Sequence, residues 1–304
     1  MRIEALSKNV ERRTSNVQGP MSSNPERLTF DFRLMSEGAA MATENTSPIV
    51  EATLLENGTL LRLVMNKPKG NILSLEMMQA LSKELEAQKD NSHLRAVIVR
   101  GAGKHFSFGA SVEEHQKEQA PSMLKGFHAM IRKVASYPVP VIALVEGACL
   151  GGSFELILAC HMVFASPTAS FGCPEIKLGV FPPVLAAIGA QRLSGPLAER
   201  MILTGDTIDA ATAEKVGMVS AVFTGENPDE EFFEWFRKNL LPLSAFAIRQ
   251  NTRVARIGSG IIAALKGPLD TIEKQYVDEV LASHDGNEGI QSFIERRNPV
   301  WKDS

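Results

Sequence analysis

Two glutamates stand where a folded chain has little structural use for them. In "CLGGSFELILAC", residues 149–160, Glu155 interrupts an apolar run, and in "ASFGCPEIKLGVFPP" Glu175 follows a glycine, a cysteine and a proline. A carboxylate among apolar neighbours is costly unless it is paired, hydrogen-bonded or protonated. Two held close together cannot both ionise easily, so such a pair can divide the roles of general acid and general base. Taken singly, each has a plainer reading: Glu155 as a side chain whose head reaches solvent, Glu175 as a solvated loop charge.

Backbone groups near these residues add a second chemical element. Gly151-Gly152 lies between the end of an expected strand and the start of an expected helix, where free N–H groups and a partial positive charge suit an oxyanion. Alone, the glycine pair needs no more than a tight turn to explain it. Glu155 follows Gly152 by three residues, so a helix places the Gly152 N–H and the Glu155 carboxyl toward one small volume. In "KHFSFGAS", Gly109-Ala110 can supply another N–H. Lys67 and Lys69 of "NKPKGN" could meet phosphate, although loop lysines usually meet only water. His105 and His115 read as loop or surface residues, because no His/Asp/Glu cluster has metal-ligand spacing. P-loop, Rossmann and serine-hydrolase elbow patterns are all lacking.

The elements that must position these groups are readable from periodicity. Two apolar runs flank Asn57-Gly58, a hairpin signal. Ser74 caps a helix with apolar Leu75, Met78, Leu81 and Leu85. "LRAVIVRG" and "VPVIALVEG" are buried strands, "PSMLKGFHAMIRKVASY" is a helix between them, and "MVFAS" is a strand after the helix that carries Glu155. This order predicts an α/β core with parallel pairing. Beyond residue 185 the pattern is mostly helical. We divide the chain into a flexible extension (1–46), an α/β core (47–200) and a helical C-terminal region (201–304). Met21, Met35 and Met41 are further candidate starts, and Glu4 and Glu11 weaken a transit-peptide reading.

Composition narrows the function. A net charge of −3 speaks against nucleic-acid and polybasic membrane surfaces, and no apolar run is long enough to span a bilayer. Cys149, Cys160 and Cys173 are odd in number and read as reduced thiols of a cytoplasmic protein.

In order and spacing, "FSFGAS", "VEGACLGGSFELILAC", "FGCPEIKLGV" and "ATAEKVGMVS" resemble the crotonase, or enoyl-CoA hydratase, superfamily over roughly residues 48–304. The resemblance implies an α/β spiral of β-β-α turns with a helical C-terminal region that builds trimers or hexamers. It further implies an acyl-CoA thioester substrate, and neither a metal nor a separate cofactor, coenzyme A being part of the substrate. Carried over by position, the oxyanion hole falls on the backbone N–H groups of Ala110 and Gly152, and the two water-handling glutamates on Glu155 and Glu175. Lys67, Ser107, Ala110, Ser111 and Gly151 fall in regions that contact substrate or CoA.

Within the superfamily, "HFSFGASVEEH", "PEIKLGVFPP" and "LASHDGNEGIQSFIERRNPVW" look most like the cyclohexa-1,5-diene-1-carbonyl-CoA hydratases of anaerobic benzoyl-CoA breakdown. The alternatives are a short-chain or cyclohexenoyl-CoA hydratase and, from another class, a non-catalytic acyl-CoA-binding scaffold. Two departures from simple hydratases bear on the acyl group. Ser111 replaces an aspartate, and the loop after the second glutamate reads "VFPPVLAAIGAQRL", stiffened by Pro182 and Pro183.

Overall fold

The Asn57-Gly58 turn closes the hairpin that begins the fold. β1 (Val50–Leu55) pairs antiparallel with β2 (Leu60–Met65), and both turn residues take positive φ, 56° and 82°. In this computed structural model residues 48–304 are described, so the expected extension over 1–46 lies outside the described residues.

Later strands of the larger sheet all join in parallel: β3 (Ala96–Gly101), β4 (Val141–Val145), β6 (Met162–Ala165) and β9 (Ala221–Val222), in the order β1-β2-β3-β4-β6-β9. Parallel neighbours require crossovers. Here these are α1 (Leu75–Gln88), capped by the Ser74 hydroxyl accepting the Met77 N–H, and α2 (Ala120–Ala135). Alternation along the strands splits the core in two. Val97, Val99, Val141, Ala143 and Val145 face the cluster under α1 and α2, whereas Ile98, Ile142, Leu144 and Phe164 meet Phe232 and Phe236 of α7 (Pro228–Asn239).

The stretch expected as one strand, "VPVIALVEG", ends at Val145. Gly147 turns at φ 57°, and β5 (Ala148–Leu150) pairs instead with β7 (Ser170–Gly172) in a second, mixed sheet completed by β8 (Thr207–Asp209). After β5 comes α3 (Gly152–Ala159), which carries Glu155 and is buried along its whole length.

"VFPPVLAAIGAQRL", expected as a stiffened loop, is helical for most of its length. α4 runs Pro183–Arg192, with Pro182 as its cap and Pro183 at the first helical position, where proline's fixed φ and missing N–H are tolerated. The helical remainder follows as α5 (Gly195–Thr204), α6 (Ala210–Lys215), α7, α8 (Ala245–Gly258), α9 (Ile261–Ala264), α10 (Gly267–Gln275) and α11 (His284–Ile294). No helix among the described residues is long and apolar enough to cross a membrane.

Candidate active site

The loop before α2 and the turn before α3 meet because each needs the other's backbone. Ser107 N–H donates to the Ala148 carbonyl and Leu150 N–H to the Ser107 carbonyl, both at 3.1 Å, which lays residues 106–108 beside β5 like a short extra strand. Asn71, buried and at φ 51°, ties the base of the loop by donating to the carbonyls of Ala102, His105 and Phe106. Ser107 is fully buried, and its hydroxyl accepts the Gly109 N–H at 3.0 Å. Ser153, on the first turn of α3, donates to the Leu150 and Ser107 carbonyls at 2.7 and 2.9 Å.

This network brings the two expected amides together. A methyl group built on the Gly152 Cα would lie 3.4 Å from the Ala110 nitrogen and 3.2 Å from its Cβ. Gly109, at φ 100°, permits the approach, since a Cβ there would stand 2.6 Å from the Leu150 carbonyl oxygen. As first residue of α3, Gly152 has no intrahelical acceptor. Neither its N–H nor that of Ala110 donates a hydrogen bond among the described residues.

The carboxyls flank the amides, and their surroundings differ. Glu155 is 3% exposed, and its Oε1 accepts the N–H groups of Val184 and Leu185 at 2.6 and 2.9 Å. These amides belong to the first turn of α4, so the carboxylate sits at a helix N-terminus, where negative charge is favoured. Burial pushes Glu155 up to about 7, against the pull of the two amides. The expectation that its head could reach solvent is therefore corrected.

Glu175 is the second residue of a 3-10 helix, Pro174–Leu178, which Gly179 ends at φ 69°. Its Oε2 is buried with no hydrogen-bond partner among the described residues, so it is not a solvated loop charge. Burial first, and the charge of Glu155 second, push Glu175 up to about 8. Its Oε1 would lie 2.9 Å from a Cβ on Gly151, whose φ of 53° and ψ of −133° suit glycine. The two carboxyls thus share one electrostatic environment beside one pair of amides.

Sequence reasoning missed Tyr276. Its side chain is 1% exposed, its hydroxyl has no partner, and its ring meets Phe181 edge-on at 5.2 Å between centroids. Burial and then the charges of Glu175 and Glu155 hold its hydroxyl well above the usual tyrosine range. α10 delivers this residue: Glu273 pairs with His128 and Asp270 with Arg132, both on α2. A π turn, Tyr276–Val280, follows. Such turns often mark functional positions, but nothing in the sequence pattern shows one. The α4 amides were also missed, although Pro at the first helical position was an available signal.

The remaining expected residues lie around this centre. Lys67 does not meet only water, since its ammonium donates to Ser74 Oγ at 3.0 Å and to Glu76 at 3.3 Å. With Lys69, Lys104 and His105 it lines a pocket of about 300 Å³. Ser111 donates to Glu113 Oε2 at 2.8 Å, and its carbonyl meets His115 Nδ1 at 2.6 Å. The three cysteines are buried and free of disulfides. Among the described residues no group of three or more His, Cys, Asp or Glu side chains could hold a metal ion.

From residue 56 to residue 304 the chain matches the model of the enoyl-CoA hydratase/isomerase family. The chain belongs to this family. It is 38% identical over 260 residues to cyclohexa-1,5-dienecarbonyl-CoA hydratase of Thauera aromatica, a match covering 86% of this chain and 99% of that protein. It is 30% identical over 249 residues to a probable enoyl-CoA hydratase of Bacillus subtilis, covering 79% and 94%. Its fold is similar to the crystal structure of an enoyl-CoA hydratase/isomerase from Xanthobacter autotrophicus Py2, with TM-score 0.72, 26% identity, and 83% and 98% of the two chains covered. These likenesses establish the α/β crotonase fold, and membership of this family implies acyl-CoA binding.

Proposed function

We propose that the protein is a hydro-lyase that adds water to cyclohexa-1,5-diene-1-carbonyl-CoA, giving 6-hydroxycyclohex-1-ene-1-carbonyl-CoA in anaerobic benzoyl-CoA breakdown. The observation that carries the reading is the pair of buried carboxyls beside two convergent, unpaired amides. The Thauera relative, Ser111 and the Pro182-Pro183 helix start support a ring rather than a straight chain.

In this mechanism the Ala110 and Gly152 N–H groups hold the thioester oxygen as it gains charge, each contributing about 3–4 kcal/mol. Glu155, whose ionised form is favoured by the two α4 amides against its burial, takes a proton from water. The water oxygen then bonds to the β-carbon of the ring. Electrons pass through the α-carbon to the thioester oxygen, forming a dienolate. Glu175, kept protonated by burial and by its neighbour's charge, gives its proton to the far carbon of that dienolate. The double bond next to the thioester re-forms in its shifted position. One water is added, and the two glutamates exchange protonation states, which a proton transfer resets. Lys67, Lys69 and Lys104 would face the CoA phosphates, and Gly151, Ser107 and Ser111 shape the thioester's approach. Assembly into trimers or hexamers belongs to the same reading, and light scattering tests it.

The functional test compares turnover of cyclohexadienoyl-CoA, cyclohexenoyl-CoA and crotonyl-CoA by loss of conjugated absorbance. Fastest turnover of the diene is expected. Crotonyl-CoA turned over far faster than the diene would remove the ring substrate. Thioester binding without any turnover would favour an acyl-CoA-binding scaffold.

A further inference from the structure

A second concentration of unpaired charge lies away from the carboxyl pair. Arg192 is the last residue of α4, and Arg256 is on α8, 6% exposed. Arg192 Nη2 donates to the Cys160 carbonyl at 3.0 Å, and Arg256 Nη2 to the Ala159 carbonyl at 2.5 Å. Cations suit the C-terminal end of α3, but one carbonyl each leaves most of two guanidinium groups unused. Both Nε atoms are buried without partners, as is Nε2 of His161, whose Nδ1 accepts the Val141 N–H and so leaves Nε2 as the donor. No carboxylate pairs with either arginine among the described residues. Arginine keeps its charge, so a buried Arg256 beside a part-buried Arg192, each with a buried and unpartnered Nε, calls for an anion.

These three side chains line one cavity of about 630 Å³, of a size that holds small ligands. Its other walls include apolar Met162, Leu240 and Ile248 and polar Asn251, Thr252 and Ser259. We infer that this cavity is a binding site for a small carboxylate with an apolar body, held by Arg192 and Arg256 and distinct from the thioester site. The planar forks of arginine match a carboxylate's two oxygens. The mainly apolar walls match a hydrocarbon ring or chain better than the many oxygens of a phosphate, since Asn251, Thr252 and Ser259 already donate to backbone carbonyls of α8. The inference is independent of the proposed reaction.

Calorimetric titration of the full-length protein with cyclohex-1-ene-1-carboxylate and with benzoate tests it, alongside chloride and inorganic phosphate. One carboxylate is expected to bind per chain, more weakly as salt rises. Arg256→Gln should weaken it about tenfold or more. Because that variant removes a buried group, Ala247→Phe provides a second arm: it fills the cavity mouth, keeps both arginines, and should weaken the carboxylate while leaving thioester turnover unchanged. Several results would each overturn the site: no saturable binding, equal affinity in Ala247→Phe, or displacement by acyl-CoA. Chloride or phosphate binding as tightly would reduce it to an unspecific ion site and overturn the carboxylate assignment. Binding found only after an oligomer is dissociated would assign the arginine pair to a second copy's carboxylate, and would overturn it as well.

Discussion

Helices α3 and α4 lie side by side, and their two ends make opposite use of buried charge. At the N-terminal ends lie two carboxyls, of buried Glu155 and part-buried Glu175, without a cation among the described residues. At the C-terminal ends lie two guanidiniums, of part-buried Arg192 and buried Arg256, without an anion among them. α3 has eight residues, so the ends are only roughly 12 Å apart. A carboxyl can relieve its burial by taking a proton, which makes a pair of them a ready acid and base. A guanidinium has no such relief. The same burial therefore yields proton chemistry at one end and a demand for a bound anion at the other.

The largest expected effect breaks the first half of this contrast. Glu155→Gln and Glu175→Gln should each lower kcat by about 10²–10⁴-fold with thioester affinity nearly unchanged, as steady-state kinetics and direct binding would show together. If either variant keeps near-full activity, that residue has no acid–base role.

Gly151→Ala should act less severely. Its methyl group would meet Glu175 Oε1 at 2.9 Å and its φ of 53° would be strained, costing about 1–2 kcal/mol of stability by denaturant titration together with a fall in kcat. Wild-type turnover would imply that Glu175 is not held against this glycine.

The pH profile sharpens the division of roles. Activity should fall on the acid side as Glu155, raised to about 7, takes a proton, and on the alkaline side as Glu175, raised to about 8, loses one. Stability has its own sign. Both folded values lie above the ordinary glutamate value of about 4.3, so between about pH 5 and pH 8 these two groups hold more protons in the folded chain than in the unfolded one. Their contribution to stability falls as pH rises through that window, and it is read above about pH 7, because burial lowers His115, His128 and His161 and these act in the opposite sense at lower pH. Glu175→Gln should flatten the slope, and an unchanged slope would contradict the protonated state of Glu175.

The smallest effect is expected at Tyr276. Its hydroxyl is unsatisfied, so Tyr276→Phe should leave thermal stability unchanged or raise it by about 1 kcal/mol. A large loss of stability would mean that the hydroxyl has a structural partner.

Much of the fold was legible where a local signal and burial agree. Asn57-Gly58 marked the hairpin, Ser74 marked the start of α1, and the Val/Ile runs marked β3 and β4. The switch of β5 into a second sheet was not legible, because "VPVIALVEG" is apolar as far as Val145 while the break depends on Gly147 meeting the Lys104 carbonyl and His105 across the fold. At the site, Gly152 and Glu155 could be related by helical spacing alone. Glu175 and Ala110 could not, since only tertiary pairing brings their loops to α3; the family resemblance supplied what local periodicity lacks. Tyr276 and the α4 amides stayed hidden because their importance lies in what they face. Arg192 and Arg256 are 64 positions apart in the chain, and no sequence pattern predicts that both will lack an acid.

The division of roles within the carboxyl pair can be observed without substrate. Infrared spectra of the wild type between about pH 7 and pH 8 should contain the carbonyl band of a buried, protonated carboxylic acid, and Glu175→Gln should remove more of that band than Glu155→Gln does. A wild-type spectrum without it, or a larger loss in Glu155→Gln than in Glu175→Gln, would contradict the assignment of Glu175 as the acid of the pair.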